Sequence, residues 1–210
     1  MRHWLTQRPG LRVAPALLPD ALHQRVQVME QTGCSVTLQK LESIAAHVVL
    51  ASATHDGLHF TCVAACARVD LGDAAQGALD ELETMVYTRI IGEEFAPLKP
   101  RDVASPADHT CLYAQKAYYR RADAVLSPAQ DFPGGTVAPC SLALLAQKGL
   151  QVLYVNITPE RAFIDQGRTA ITVVKVIVPG LITLSFGYGR EPRGMLAGVH
   201  RASYFPHPFP

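Results

Sequence analysis

The sequence predicts an α+β fold (mixed α/β), in which mixed sheets of hairpins and helix–strand units pack against helices. Apolar residues recur at helical spacing in several stretches, and shorter stretches between them are rich in β-branched and small residues. Residues 45–54 and 58–69 are two such shorter stretches, and the turn His55-Asp56-Gly57 between them predicts a β-hairpin. Similar helix–glycine–strand patterns at 29–38 and 145–154 indicate a duplicated unit. This mixture favours α+β over a regularly alternating parallel arrangement.

Bulk composition excludes several classes of function. The 19 Lys and Arg residues nearly cancel the 18 Asp and Glu residues over 210 residues, so no whole-chain field favours nucleic acid or an anionic membrane. The five cysteines are an odd number without a paired CxxC motif, which indicates free thiols in a reducing compartment. The first nine residues lack the apolar segment of a secretory signal, and no apolar run reaches the ~20 residues of a membrane helix. A cytoplasmic protein is expected.

The first part of the chain predicts a short irregular segment, a helix and a strand. Residues 1–20 are expected to be irregular and residues 21–210 to form a single domain, with a candidate internal break at 127–139. The predicted helix starts near Asp20, and Leu22, Val26 and Met29 repeat at helical spacing up to Gly33, the expected C′ residue. Residues 34–41 alternate as in a strand, with the apolar side chains facing inward.

Two more helices are predicted before the candidate break. Asp73 is expected to cap a helix that runs to about Ile91, with an apolar stripe at Leu79, Leu82 and Val86. Residues 105–108 have the pattern of an N-cap serine, a proline at the first helical position and an acidic third position. The buried face of that second helix is expected to continue to residues 127–128.

After the break, the sequence predicts a helix and three strands. Residues 141–148 predict a short helix that ends at Gly149, followed by a strand at 150–157 and a helical turn that opens at 158–160. Residues 169–178 and 181–188 predict two further strands, separated by Pro179-Gly180.

The helix at 73–91 carries the candidate metal ligands. Asp80 and Glu83 are three residues apart and point the same way, with Glu81 between them. Mg²⁺ is commonly held by one or two carboxylates together with substrate phosphates. The alternative is a solvated acidic helix face.

Other reactive residue types are interpreted mainly as structural. Cys62 and Cys66 lack a zinc-like partner set, so they are expected to be small buried thiols, and no nucleophile-elbow, GxGxxG or Walker pattern occurs. His109 and His207 are each expected to have a packing or surface role. Lys175 interrupts an apolar strand, which indicates either an anion contact or a charged edge strand.

The sequence ends with proline at every second position, in Pro206-His207-Pro208-Phe209-Pro210. Each proline fixes its own φ angle and disfavours helical geometry at the residue before it, so an extended, stiff segment is expected. The alternative is a frayed end of the chain.

Five landmarks, taken in order, point to one family. They are residues 78–81, Asp108-His109 with Tyr113, Gly149 ahead of a strand, residues 173–181, and the proline-alternating end. Together they resemble the YcaO family, and especially its peptide cyclodehydratase members. The resemblance implies ATP- and Mg²⁺-dependent formation of azoline rings (thiazoline or oxazoline) from Cys, Ser or Thr of a ribosomally made precursor peptide.

The resemblance also implies roles for individual residues. Glu81 would bind Mg²⁺ with help from Asp80 or Glu83, and Lys175 or Arg190 would contact phosphate. The segment from Pro206 to Pro210 would lie at the active site.

The resemblance covers only the C-terminal portion of such enzymes, so a longer or split enzyme with a partner cyclodehydratase subunit is expected. Thr84 and Met85 stand where family members often have Glu or Gln and then Arg. A catalytically incomplete YcaO-like subunit that binds the precursor peptide or a partner protein is the alternative. Formation of a thioamide or an amidine is a third hypothesis for the reaction. For the oligomeric state, both a homo-oligomer and a hetero-oligomer are left open.

Overall fold

A computed structural model describes residues 1–92, 95–137, 141–158, 172–190 and 205–209. The chain divides into two compact units, the first comprising Met1–Pro139 with Ile182–Pro210 and the second Cys140–Leu181. Helices and antiparallel sheets occur together, which confirms the predicted α+β class.

The first unit is built on a four-stranded antiparallel sheet with the strands in sequence order. Its strands are β1 (Leu11–Arg12), β2 (Cys34–Leu41), β3 (His47–His55) and β4 (Phe60–Arg68). The predicted strand at 34–41 and the predicted hairpin are both confirmed. His59, at the start of β4, takes a left-handed φ of 57° that closes the hairpin turn.

Two helices cover one face of this sheet, α2 (Asp20–Gln31) and α3 (Leu71–Ile90). The helix predicted from Asp20 is confirmed, and Gly33 follows it with a left-handed φ of 96°. The predicted cap of α3 is wrong by three residues. Asp70 is the N-cap, and its side chain accepts a hydrogen bond from the backbone N–H of Asp73.

Both faces of the sheet are buried, because alternate residues of the central strands point to opposite cores. On β3, Val49 and Ala51 belong to the core beneath α2 and α3, whereas Leu50 belongs to a second core on the other face. On β4, Val63 also faces the second core. Leu41 of β2 faces inward as expected, and it lies in the second core.

Small residues form the contact between α3 and the sheet. Ala74, Ala75 and Ala78 are completely buried there. A Cβ atom added at Gly77 would lie 2.5 Å from the Sγ atom of Cys66 on β4. The helix therefore approaches the sheet as closely as its backbone allows.

The second core involves three short helices: α1 (Arg2–Thr6), α4 (Pro106–Leu112) and α5 (Asp123–Leu126). Two 3₁₀ turns, at Pro15–Leu17 and Pro100–Asp102, contribute no buried residues. The prediction that residues 1–20 are irregular is wrong in part, since α1 and β1 lie there and Trp4 and Leu5 are buried. Burial of the Trp4 ring removes apolar surface from water and so stabilises the packing of α1 against the second core.

The helix predicted from Ser105 starts as expected but ends earlier. Ser105 and Asp108 form a capping box, with Pro106 at the first helical position. The helix ends at Leu112, because the carbonyl oxygen of Tyr113 accepts the backbone N–H of Thr61 at 2.9 Å instead of continuing the helical pattern.

The second unit contains α6 (Leu142–Gln147) and a two-stranded antiparallel sheet of β5 (Leu153–Asn156) and β6 (Val174–Ile177). These confirm the predicted helix and two of the predicted strands, and Gly149 follows α6 with a left-handed φ of 71°. The predicted helical turn at 158–160 and residues 169–171 lie wholly or largely outside the described residues.

Residues 181–188 form no strand, contrary to the prediction. Their backbone groups bond instead to side chains: the carbonyl oxygen of Ser185 contacts a nitrogen of His207, and the N–H of Gly187 donates to His109. Among the helices that the structure describes, none has the length and apolar character needed to span a bilayer.

Candidate functional site

The proline-alternating segment lies in the second core of the first unit. Pro206, His207 and Pro208 are buried, and Phe205 and Phe209 pack at the edge of that core. His207 is 0 % exposed. The described part of this segment, residues 205–209, is therefore not a frayed end; Pro210 lies outside the described residues.

Two side chains from one turn of α4 hold consecutive carbonyl groups of the segment. The hydroxyl of Tyr113 donates to the carbonyl oxygen of Pro206 at 2.8 Å, and Nδ1 of His109 lies 2.7 Å from the carbonyl oxygen of His207. Both anchoring side chains are 0 % exposed. Because water is excluded, each of these hydrogen bonds would be costly to leave unmade.

The contacts of His109 define its protonation state. A carbonyl oxygen can only accept, so Nδ1 carries the proton that is donated to His207. Nε2 accepts the backbone N–H of Gly187 at 3.0 Å, so this nitrogen carries no proton. His109 is thus a neutral imidazole with the proton on Nδ1.

The two histidines stack face to face with ring centroids 4.1 Å apart. Nε2 of His207 donates to the carbonyl oxygen of Ser185 at 2.7 Å, whereas its buried Nδ1 has no hydrogen-bond partner among the described residues. Burial, and to a smaller extent the neighbouring His109, lowers the pKa of His207 to about 4. The pair is therefore neutral at pH 7.

The capping box at the start of α4 places His109 one turn along the helix. The Asp108 carboxylate accepts the backbone N–H groups of Ala104 and Ser105, and these bonds, that of Ala104 first, lower the pKa of Asp108. Burial raises the pKa of Tyr113 well above its ordinary value. Tyr113 is accordingly a neutral hydrogen-bond donor.

The candidate metal ligands lie on α3, and two of the three form ion pairs with an arginine. Nε and an NH₂ group of Arg25 on α2 donate to both oxygens of Glu83 at 2.7 and 2.8 Å, and the same NH₂ group donates to Asp80 at 2.7 Å. These bonds, that of Glu83 first, raise the pKa of Arg25. Asp80 and Glu83 hold α3 to α2 in this arrangement.

Glu81 lies about 100° round the helix from Asp80, and its side chain is exposed. It has no hydrogen bond or ion pair with any residue that the structure describes. No group of three or more His, Cys, Asp or Glu side chains that could hold a metal occurs in the described ranges.

The two candidate phosphate contacts belong to different units. Lys175 is exposed on β6, opposite Val155 of β5, in the second unit. Arg190, in the first unit, is exposed and donates its backbone N–H to the carbonyl oxygen of Gly187 at 3.3 Å. Their predicted role remains a prediction.

Sequence reasoning missed the anchoring role of His109 and Tyr113, and the role of the loop at Ser185 and Gly187. The four-residue spacing of His109 and Tyr113 was a usable signal, since it places both side chains on one helix face. Their partners lie 98 and 93 residues away, at His207 and Pro206, and no local pattern indicates that pairing.

Replacing Arg25 with methionine is expected to lower the free energy of unfolding by about 1 kcal/mol. The change removes three charge-assisted hydrogen bonds but keeps the apolar stem, and the partial exposure of the carboxylates limits their value. Urea unfolding measures the difference. Arg2→Met, which breaks the more exposed pair with Glu42, is the control and should cost less than about 0.5 kcal/mol. Equal losses in the free energy of unfolding for the two variants would contradict the stabilising role of Arg25 between α2 and α3.

Comparisons with known proteins identify the family. The family model for the YcaO cyclodehydratase, described as ATP- and Mg²⁺-binding, matches residues 1–182, so the match begins before the landmarks noted in the sequence and ends before Pro206. A search of curated proteins returns no match.

Solved structures share the fold at low identity. A heterocyclase in complex with substrate and cofactor has a TM-score of 0.59 and 17% identity over 85% of this chain and 24% of its own. The heterocyclase TruD has a TM-score of 0.50 and 16% identity, with the same coverage. The E. coli microcin synthetase McbBCD complex with pro-MccB17 bound has a TM-score of 0.56 and 12% identity over 85% of this chain and 47% of the other.

The chain thus spans about a quarter to a half of the length of these solved structures. The family model covers most of the chain, and the fold comparisons agree with it. The resemblance noted from the sequence landmarks is confirmed: the chain belongs to the YcaO family.

Proposed function

We propose that this chain takes part in ATP- and Mg²⁺-dependent cyclodehydration of a ribosomally made precursor peptide, as one portion of a longer or split YcaO enzyme. The match of residues 1–182 to the YcaO cyclodehydratase model carries this proposal. Two proteins of similar fold support it, since one is a heterocyclase in complex with substrate and cofactor and another is a microcin synthetase with pro-MccB17 bound.

In the proposed reaction, a Cys thiol or a Ser or Thr hydroxyl of the peptide adds to the preceding carbonyl carbon and loses its proton. The carbonyl oxygen takes the γ-phosphoryl group of ATP and leaves as phosphate, and loss of the amide proton gives the C=N bond of the azoline. The peptide loses the elements of one water molecule, and ATP becomes ADP. ATP makes a poor leaving group into a good one, and Mg²⁺ spreads the phosphate charge.

Of the three candidate carboxylates, Glu81 is the one we propose for magnesium. Asp80 and Glu83 would have to release Arg25 before either could bind a metal, whereas Glu81 is exposed and unpaired among the described residues. Mg²⁺ commonly uses one or two carboxylates and retains waters and phosphate oxygens. The remaining protein ligands would come from outside the described residues, including the rest of a longer or split enzyme.

The second unit supports the idea that more polypeptide completes the enzyme. All eight residues of β5 and β6 are exposed, and apolar side chains lie on both faces, including those of Tyr154, Val155, Val174 and Val176. An isolated two-stranded ribbon is marginally stable in water. We propose that this ribbon is covered in the complete enzyme. We also propose that Lys175 or Arg190 contacts phosphate.

The test combines the chain with candidate partner subunits, a Cys-, Ser- and Thr-rich precursor, ATP and Mg²⁺. Intact-mass analysis of the precursor is expected to show loss of one water per ring, and omission of ATP should abolish it. Glu81→Gln is expected to raise the Mg²⁺ concentration needed for half-maximal rate by at least about tenfold, whereas Glu30→Gln on the exposed end of α2 should not. An unmodified precursor in the complete mixture would refute the catalytic proposal.

A second candidate function is a catalytically incomplete subunit that binds the precursor or a partner protein. Thr84 and Met85, which stand where family members often have Glu or Gln and then Arg, favour it. Isothermal titration of the isolated chain with Mg-ATP discriminates between the two, and micromolar binding would contradict a purely scaffolding role. Thioamide or amidine formation would instead appear as a different mass change of the peptide.

A further inference from the structure

We propose that His109 and Tyr113 are positioning residues that hold the segment 205–209 in register for the reaction. Neither residue is assigned a role in the proposed chemistry, and their action would be through the segment. The proposal rests on the proposed function for its effect on turnover, but the anchoring itself is testable on the isolated chain.

The first step concerns what the segment offers for attachment. Pro206 and Pro208 have no backbone N–H, so the backbone presents mainly carbonyl groups. An element with few backbone donors is held mainly through its carbonyl groups, which need donors from elsewhere. Tyr113 and His109 supply them to two consecutive carbonyls, those of Pro206 and His207, at 2.8 and 2.7 Å.

The second step concerns how His109 is itself oriented. Gly187 donates its N–H to Nε2 of His109, which fixes the ring and leaves the proton on Nδ1, facing the segment. Gly187 has a left-handed φ of 107°, and a Cβ atom there would lie 2.9 Å from Cδ of Arg190. The loop at Gly187 therefore orients the imidazole of His109, and the imidazole in turn binds the segment.

The third step concerns the ring contacts beside the two anchoring hydrogen bonds. His207 stacks on His109 and donates to the carbonyl oxygen of Ser185, and Phe205 lies edge-on to Tyr113. Packing alone would permit sliding along the apolar surface, because apolar contacts have no direction. The two hydrogen bonds from α4 set the position along the segment.

Two substitutions at His109 separate its two hydrogen bonds. His109→Asn places an amide N–H near the position of Nδ1 and keeps a donor for the segment. His109→Gln places an amide oxygen near the position of Nε2, so it keeps an acceptor for Gly187 and loses the donor. Tyr113→Phe keeps the ring and removes only the hydroxyl that donates to Pro206.

The first measurement uses the isolated chain and does not depend on activity. NMR titration of the imidazole nitrogens of His207 reports whether the segment is docked, since burial lowers its pKa to about 4 from an ordinary value near 6.5. We expect that value to return toward 6.5 in His109→Gln combined with Tyr113→Phe. His109→Asn should keep it low. An unchanged His207 titration in the double variant, with a cooperative thermal transition showing that the variant is folded, would overturn the anchoring role.

The second measurement uses the reconstituted enzyme with precursor peptide. His109→Gln with Tyr113→Phe is expected to lower kcat on the order of 100-fold with little change in the KM for ATP, because a displaced active-site element costs turnover. His109→Asn should restore most of the rate. Full turnover in a variant whose segment is released would overturn the positioning role. An inactive wild type would refute the proposed function instead, and the His207 titration would still decide whether the anchors hold the segment.

Discussion

Removal of Phe209 and Pro210 is expected to reduce the rate of azoline formation at least about 100-fold while lowering the melting temperature by only a few degrees. Phe209 packs at the edge of the second core, so the deletion costs a modest apolar contact. The preceding residues remain attached, because His109 and Tyr113 bind the carbonyls of His207 and Pro206. Mass-spectrometric turnover of the precursor and thermal unfolding are the two measurements.

A core variant separates stability from activity in that experiment. Val125 is buried in the same core but contacts neither anchor bond, and Val125→Ala should destabilise the chain by about 1–3 kcal/mol with turnover retained at a permissive temperature. Equal activity of the truncated and full-length chains would return the end of the sequence to a purely structural role. Parallel losses in the truncated chain and in Val125→Ala would mean that stability alone explains the effect.

Acidification is expected to release the same segment. His207 has a pKa of about 4 in the folded chain, below its ordinary value near 6.5, so the unfolded or undocked state binds a proton more readily. The stability that His207 contributes is fully present above pH ~6.5 and falls as the pH drops toward ~4, by up to roughly 3 kcal/mol. The α-amino group of Met1 is a positive charge that adds to the lowering of the pKa of His207. The other nearby groups are His109, which stacks on His207 as a neutral imidazole, and Tyr113, which is a buried phenol. Arg121 lies over the ring of Phe205.

Urea unfolding at several pH values between 7.5 and 4 measures this effect. His3 and His47 also have lowered pKa values through burial and add to the loss, so the comparison needs a variant that lacks only the His207 titration. His207→Gln serves, because its amide can still donate to the carbonyl oxygen of Ser185. The free energy of unfolding of the wild type minus that of His207→Gln should decrease as the pH falls from 7.5 to 4. A difference that stays constant over this range would contradict the assignment of the titration to His207.

Elements with local signals were predictable from the sequence. The hairpin was indicated by a turn between two β-rich stretches, and the start of α4 by Ser105, Pro106 and Asp108, which form their capping box within one turn. The start of α3 shows the limit of such signals. Asp70 and Asp73 are both capping residues by type, and which of them caps depends on where the preceding strand ends.

Features that depend on distant partners were not predictable. Residues 181–188 have the composition of a strand, but Ser185 and Gly187 bond to two histidine side chains rather than to a neighbouring strand. The helix after Ser105 ends early because Tyr113 pairs with Thr61, more than fifty residues before it. The family resemblance supplied the importance of the proline-alternating end, and the contacts on α4 supply its attachment.

The alanine contact beneath α3 has a mechanical consequence for the acidic residues farther along that helix. Ala74, Ala75 and Ala78 pack against the sheet, and there is no room for a methyl group at Gly77. The helix therefore cannot rotate about its axis or move along it by part of a turn without steric overlap. Longer side chains could change rotamer and absorb such a displacement, whereas alanine has none to change. The backbone at Glu81 is therefore set by the stiff central strands, and any adjustment to a bound ion must come from the glutamate side chain itself.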